Sequence, residues 1–239
     1  MPSFWETTKV NGQDMNMYAS VPDGPGPFPA VVVIHPAGGV NEFPQRIADR
    51  LAEEGYAAVC PDLFHRITDS GMTGVEKAGS LLDPEVVADV NAAVDFLQAH
   101  PGINGQSIGI TGFCMGGRVS WLAATTISAI KASAPYYGGN IMVVRGGDKT
   151  PFDLASGINC PILFHFGEED ANPSPEDMMT LDAELTRLGK AHQFYSYSGA
   201  DHAFADHTSP RYHQKAFEVS WPRTLEFFAA HLKGVPVSG

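Results

Sequence analysis

The run Gly112-Phe-Cys-Met-Gly116, followed by Gly117, sets a thiol midway between two glycines. That is the spacing of a nucleophile elbow, with cysteine where serine is usual. A nucleophile on a sharp strand-to-helix turn sits on a strained backbone, and its neighbours two positions away must lack a Cβ to avoid clashes. The turn also sets the thiol at a helix N-terminus, where the dipole and free N–H groups favour a thiolate. The rival account is a buried cysteine in an ordinary Gly-rich turn. A strand pattern before Cys114 and a helix pattern after it favour the elbow.

A thiol nucleophile needs a base, and the base needs an orienting group. His202, in Gly199-Ala-Asp-His202-Ala-Phe, follows the last strand-like run. Asp170, in Gly167-Glu-Glu-Asp170, follows the run before it. The chain order nucleophile, acid, histidine is that of α/β-hydrolases. In this arrangement Asp170 holds the His202 tautomer and stabilises its cation. Glu168 and Glu169 are rival orienters, although charged loop residues are mostly solvated. Among the other histidines, His207 and His213 lie in a polar stretch and read as surface residues. His165 falls inside an apolar strand and reads as a hydrogen-bonded core residue.

Acyl transfer also requires donors for an oxyanion. The N–H of Met115, directly after the nucleophile, is one expected donor. The second is expected from the Gly-rich loop His35-Pro-Ala-Gly-Gly39, with the N–H of Ala37 best placed. A metal site built from Asp201, His202, Asp206 and His207 is a weaker reading, because no recognised ligand spacing is present. No metal or cofactor is expected.

The elements that must position these groups alternate along the chain. Residues 30–34, 56–60, 107–113, 129–137, 160–166 and 192–197 read as strands, the first a continuous β-branched run suited to burial on both faces. Val10-Asn-Gly-Gln reads as a hairpin turn. Phe43, Ile47 and Leu51 mark a helix ending near Gly55. Val86 to Leu97, Met178 to Leu188 and Phe217 to Leu232 carry further helical stripes. The alternation implies an α/β fold: a largely parallel sheet with helices on both faces and its ligand site beyond the strand carboxyl ends. The weakly patterned stretches 65–84 and 140–157 read as loops or short lids over that end.

The chain has 239 residues, enough for one domain, 1–239, with a full core. A formal net charge of -12 argues against nucleic acid or an anionic membrane as partner. The start of the chain has no basic and apolar leader pattern, and no apolar run reaches the roughly 20 residues of a membrane span. Three cysteines without framework spacing fit a reduced, cytoplasmic setting.

The chain resembles the dienelactone hydrolase family over nearly its whole length. The resemblance rests on Gly39-Val-Asn-Glu-Phe43, Gly55-Tyr-Ala-Ala-Val-Cys-Pro-Asp-Leu63, the cysteine elbow, Tyr136-Tyr-Gly138 and Ala200-Asp-His-Ala-Phe204. It implies an α/β-hydrolase with a Cys–His–Asp triad at Cys114, His202 and Asp170. The implied reaction is hydrolysis of a small ester or lactone through an acyl-enzyme. Two positions depart from the family pattern. Pro36 stands where family members acting on dienelactone carry a glutamate near the thiol. Asp206 stands where they carry an arginine for the substrate carboxylate, and 65–84 offers only Arg66 and Lys77 as a second cation.

These departures lead to two expectations. Without the glutamate, and unless Glu42 reaches in, Cys114 pairs with His202 as a thiolate–imidazolium. With Asp206 facing the substrate, neutral esters are favoured over anionic ones, unless Arg145 or Arg211 reaches the site. The alternatives are true carboxymethylenebutenolidase activity with a rebuilt anion site, or a non-catalytic or redox-sensing homologue in which Cys114 is oxidised rather than acylated.

Overall fold

In the computed structural model, which describes residues 2–235, the β-branched run beginning at Ala30 lies in a strand whose last five residues are fully buried. In chain order the elements are β1 Ser3–Val10, β2 Gln13–Ser20, β3 Phe28–Ile34, α1 Glu42–Glu53, β4 Ala57–Pro61, α2 Gly74–Ser80 and α3 Asp83–Ala99. They continue with β5 Ile103–Phe113, α4 Met115–Thr126, β6 Ile130–Tyr136, β7 Ile162–Gly167, α5 Pro175–Arg187, β8 His192–Tyr197 and α6 Gln214–Leu232. One eight-stranded sheet results, in the order β1-β2-β4-β3-β5-β6-β7-β8. The pairs from β4 to β8 are parallel, whereas β1 and β2 pair antiparallel around the Asn11-Gly12 turn. The α/β architecture expected from the alternation is the one observed.

Its order decides where a ligand can sit. The chain leaves β3 toward β4 on one side, while β5 leads on to β6, β7 and β8 on the other. The two directions part between β3 and β5, and a crevice opens there beyond the strand ends. Ala37 follows β3 and Cys114 follows β5.

Two apolar clusters sandwich the sheet. One gathers α3, α4 and α5 with residues such as Val90, Trp121 and Leu181. The other gathers α1 and α6 with Phe43, Leu51, Trp221 and Phe228. Among the described residues, no helix is long and apolar enough to cross a membrane.

The sequence expectations miss some boundaries and one helix. β5 begins four residues earlier than expected, at Ile103, and β7 begins at Ile162. Helix α2 falls inside 65–84, where no apolar stripe exists because only Ala78 is buried. Its signal was a capping box: Thr73 accepts from the Glu76 N–H, and the Glu76 carboxylate accepts from the Thr73 N–H. His165 is the buried, hydrogen-bonded residue expected, held by the Tyr197 hydroxyl at 2.8 Å and the Thr224 hydroxyl at 3.0 Å. Burial pushes its pKa down to about 3. His207 is exposed, as expected. His213 is a half-buried cap instead, its Nδ1 accepting from the Ala216 N–H at the start of α6.

Candidate active site

The elbow is built as the glycines require. Cys114 adopts φ 58 and ψ -119, a left-handed conformation that costs a non-glycine residue about 1–3 kcal/mol. A Cβ on Gly112 would collide with the Gly116 carbonyl, and one on Gly116 with the Ile34 carbonyl at the end of β3. Strand, turn and neighbouring strand therefore approach more closely than any other residue type allows. The strained turn is held from both sides: the Cys114 N–H donates to the Tyr136 carbonyl, and the Gly117 N–H donates back to the Cys114 carbonyl.

Around the thiol the fold assembles groups far apart in sequence. His202 hydrogen-bonds Cys114, and its Nδ1 lies 2.8 Å from Asp170 Oδ2. Asp170 is buried, and its other oxygen accepts from the Asn172 N–H at 2.8 Å. The Tyr137 ring packs against the imidazole with centroids 5.2 Å apart. Glu168 turns away to accept from the Ser196 hydroxyl, and Glu169 is exposed. Of the three consecutive acids, Asp170 is the one on the histidine.

The electrostatics follow from this packing. Burial pushes the Cys114 thiol up, but the hydrogen bond and charge of His202, with the N–H groups of Met115 and Ala37, pull its pKa below the ordinary thiol value. Burial pushes His202 down, yet Asp170 and Cys114 together raise it to about 10. Both shifts favour the charged forms of the pair, a thiolate beside an imidazolium. The two backbone N–H groups aimed at the sulfur are those expected of an oxyanion hole.

The thiol opens into a cavity of about 350 Å³ lined by Ala37, Val75, Ala78, Arg118, Asn140 and Arg145, among others. Both weakly patterned stretches contribute to its walls. Among the described residues, no carboxylate lines it: Glu42 is exposed and accepts from His207, and Asp206 accepts from the backbone and hydroxyl of Thr208. The expectation that Asp206 faces the substrate therefore fails, because its loop caps itself.

Among the described residues, two arginines line the cavity. Arg118 is neutralised by a bidentate pair with Asp83. Arg145 donates to the Ala78 carbonyl at 2.6 Å and forms no ion pair among the described residues. Arg211 is exposed beside Asp201 and does not line the cavity. Arg118, Asn140 and Asn172 carry no sequence signal that places them at the thiol: Arg118 lies in α4, Asn172 in the loop between β7 and α5, and Asn140 and Arg145 in the stretch 140–157, which has no periodic pattern.

Asp201, His202, Asp206 and His207 do not converge. Among the described residues, no three His, Cys, Asp or Glu side chains cluster as metal donors. Cys60 and Cys160 are buried free thiols. Burial raises both, Cys160 to about 12.

The sheet order and the strand–elbow–helix turn at its switch point define an α/β-hydrolase. Sequence comparison matches residues 15–232 to the dienelactone hydrolase family, and the chain belongs to that family. A Bradyrhizobium protein named provisionally as a 2-oxo-3-(5-oxofuran-2-ylidene)propanoate lactonase is 31% identical over 236 residues, spanning 96% of this chain and 95% of its own. An Escherichia coli K12 protein named provisionally as a carboxymethylenebutenolidase is 32% identical over 232 residues, spanning 91% and 83%. A crystal structure from Klebsiella pneumoniae, provisionally titled a dienelactone hydrolase, superposes with a TM-score of 0.86 at 30% identity, covering 97% of this chain and all of the other. The protein is a hydrolase of the dienelactone hydrolase kind.

Proposed function

We propose that this protein, as one domain, hydrolyses a small ester or lactone through an acyl-enzyme on Cys114. The observation that carries the proposal is the His202-paired thiol with two backbone N–H groups converging on it. The thiolate attacks the carbonyl carbon, a C–S bond forms, and the carbonyl π pair moves onto oxygen. The Met115 and Ala37 N–H groups stabilise that oxyanion. Collapse breaks the C–O bond, and the leaving oxygen takes the proton of the His202 imidazolium. The neutral imidazole then takes a proton from water, the hydroxide attacks the thioester, and the thiolate departs beside a renewed imidazolium. Asp170 keeps the His202 Nδ1–H oriented throughout. No step draws on a cofactor, and a cytoplasmic location suits the three free cysteines.

Activity in this scheme requires the thiolate and the imidazolium together. kcat/KM is expected to hold level through neutral pH, fall on the acid side as the lowered Cys114 pKa is crossed, and fall again near 10 as His202 deprotonates. Iodoacetamide should likewise alkylate Cys114 at pH 6 far faster than a free thiol. Stopped-flow alkylation from pH 4 to 10, with Cys114→Ala as blank, checks the acid limb, and a kcat/KM profile carried to pH 11 checks the basic one. One titration near 8.5, the value of an ordinary thiol, would show a thiol resting protonated.

Arg145 favours a second, narrower reading: a lactone that also carries a carboxylate. Its guanidinium, which forms no ion pair among the described residues, lines the same cavity as the thiol, and a charge-assisted hydrogen bond to it is worth about 1.5–3 kcal/mol. This reverses the preference for neutral esters drawn from Asp206. Arg145→Gln should lower the ratio of kcat/KM on a carboxylate-bearing lactone to that on a p-nitrophenyl ester by about 10- to 100-fold. An unchanged ratio would remove the carboxylate from the proposal and leave the thiol chemistry standing.

A further inference from the structure

We propose that His35 is a positioning residue, which aims the Ala37 N–H at the developing oxyanion by holding the Pro36 carbonyl from behind. This inference rests on the acyl-enzyme reading above. His35 is the first residue of the oxyanion loop, fully buried just beyond β3. Its Nδ1 lies 2.7 Å from the Pro36 carbonyl oxygen, and its Nε2 lies 3.1 Å from the Leu63 backbone nitrogen. The partners decide the tautomer. A carbonyl can only accept, so Nδ1 carries the proton; a backbone N–H can only donate, so Nε2 is bare. The Phe64 ring packs edge-on against the imidazole at 4.8 Å and keeps it in plane with both partners.

The Pro36–Ala37 peptide passes this hold to the site. A trans peptide is planar, with its C=O and N–H pointing in opposite directions. Fixing the carbonyl on the His35 side, where the Gly39 N–H also donates to it at 3.0 Å, turns the Ala37 N–H toward Cys114. Without that anchor the peptide plane can rotate about its flanking bonds, and the donor leaves the line of the carbonyl oxygen. The Met115 N–H needs no such help, because it belongs to the first residue of α4. Of the two donors, only the one on the loop depends on a side chain for its direction.

Two near-isosteres divide the imidazole between them. In His35→Asn the amide nitrogen takes the place of Nδ1 and can still donate to Pro36. In His35→Gln the amide oxygen reaches the place of Nε2 and can still accept from Leu63, but the Pro36 hold is lost. Each variant orphans one backbone group, so comparable drops in Tm are expected. Their kinetics should differ. Loss of one oxyanion donor typically costs 10²–10³ in kcat, and a misaimed donor less. His35→Gln is expected to lose about 10- to 100-fold in kcat with KM little changed, because the interaction matters only as charge develops on oxygen. The alkylation midpoint of Cys114 should also move up in this variant, since the same N–H stabilises the resting thiolate. His35→Asn should retain kcat to within about fivefold and keep the wild-type midpoint.

Equal kcat in the two variants, or losses that merely follow Tm, would overturn the proposal. If neither variant folds, Phe64→Leu carries the test by freeing the imidazole to tilt. A fall of several-fold in kcat with a raised alkylation midpoint is expected there, and unchanged values of both would overturn it. Cys114→Ala, assayed alongside, separates this proposal from its premise. Wild-type turnover by that variant sinks the acyl-enzyme itself, whereas a dead Cys114→Ala with indifferent His35 variants sinks only the role of His35.

Discussion

Cys114→Ala is expected to lose about 10⁴-fold or more in turnover of any ester or lactone substrate while the fold is retained. Alanine keeps the backbone of the elbow and the close approach of Gly112 and Gly116, and removes the only nucleophilic side chain on the turn. Neither Cys60 nor Cys160 can replace it, because both thiols are buried with raised pKa values. His202→Ala is expected to cost a comparable amount, since in the proposed mechanism it removes the proton donor for the leaving oxygen and the hydrogen-bond partner that lowers the thiol pKa. The double variant should be scarcely worse than either single one, as residues acting as one unit are strongly non-additive. Steady-state kinetics on p-nitrophenyl esters and lactones, with thermal melts as the folding control, measure all three. Near wild-type turnover by Cys114→Ala would refute the mechanism. Losses that simply multiply in the double variant would mean that His202 acts independently of the thiol.

Asp170→Asn is the second large effect, about 10²–10⁴-fold in kcat. The asparagine amide can present an N–H to the His202 Nδ1–H, so two donors meet at the 2.8 Å contact. Relief comes from moving the imidazole proton to the other nitrogen, which leaves Nε2 as the wrong tautomer's donor in the step that needs a base. The change in KM should be small, because Asp170 does not line the cavity. Glu169→Gln is the control, since Glu169 is exposed and the hydrogen bond to the His202 Nδ1 comes from Asp170. A larger loss from Glu169→Gln than from Asp170→Asn would show that the orienting carboxylate has been misassigned.

The parts of this molecule legible in the sequence are those encoded by local spacing. Residues 30–34 announce a buried strand because consecutive β-branched residues suit a surface covered on both faces. Gly112 and Gly116 announce the elbow because the clash they avoid lies within one turn of chain and with the strand beside it. The order Cys114, Asp170, His202 announces which strand ends meet, since a parallel sheet brings its carboxyl ends to one edge. Helix α2 was legible in principle, through the capping box at Thr73 and Glu76, but not through any apolar stripe.

Tertiary structure alone decided where loop side chains point. Glu168, Glu169 and Asp170 are equivalent as letters; the hydrogen bonds of their loop send one to Ser196, one to solvent and one to His202. Asp206 sits close to His202 in sequence yet turns to Thr208, while Arg145, from the long loop after β6, lines the cavity. His35 looks like the first residue of a Gly-rich loop, and only its contacts with Pro36 and Leu63 reveal a clamp. The physical reason is the same in each case. Helix and strand periods of 3.6 and 2.0 fix side-chain direction from neighbours in sequence, whereas a loop has no period, and its directions come from partners dozens of residues away.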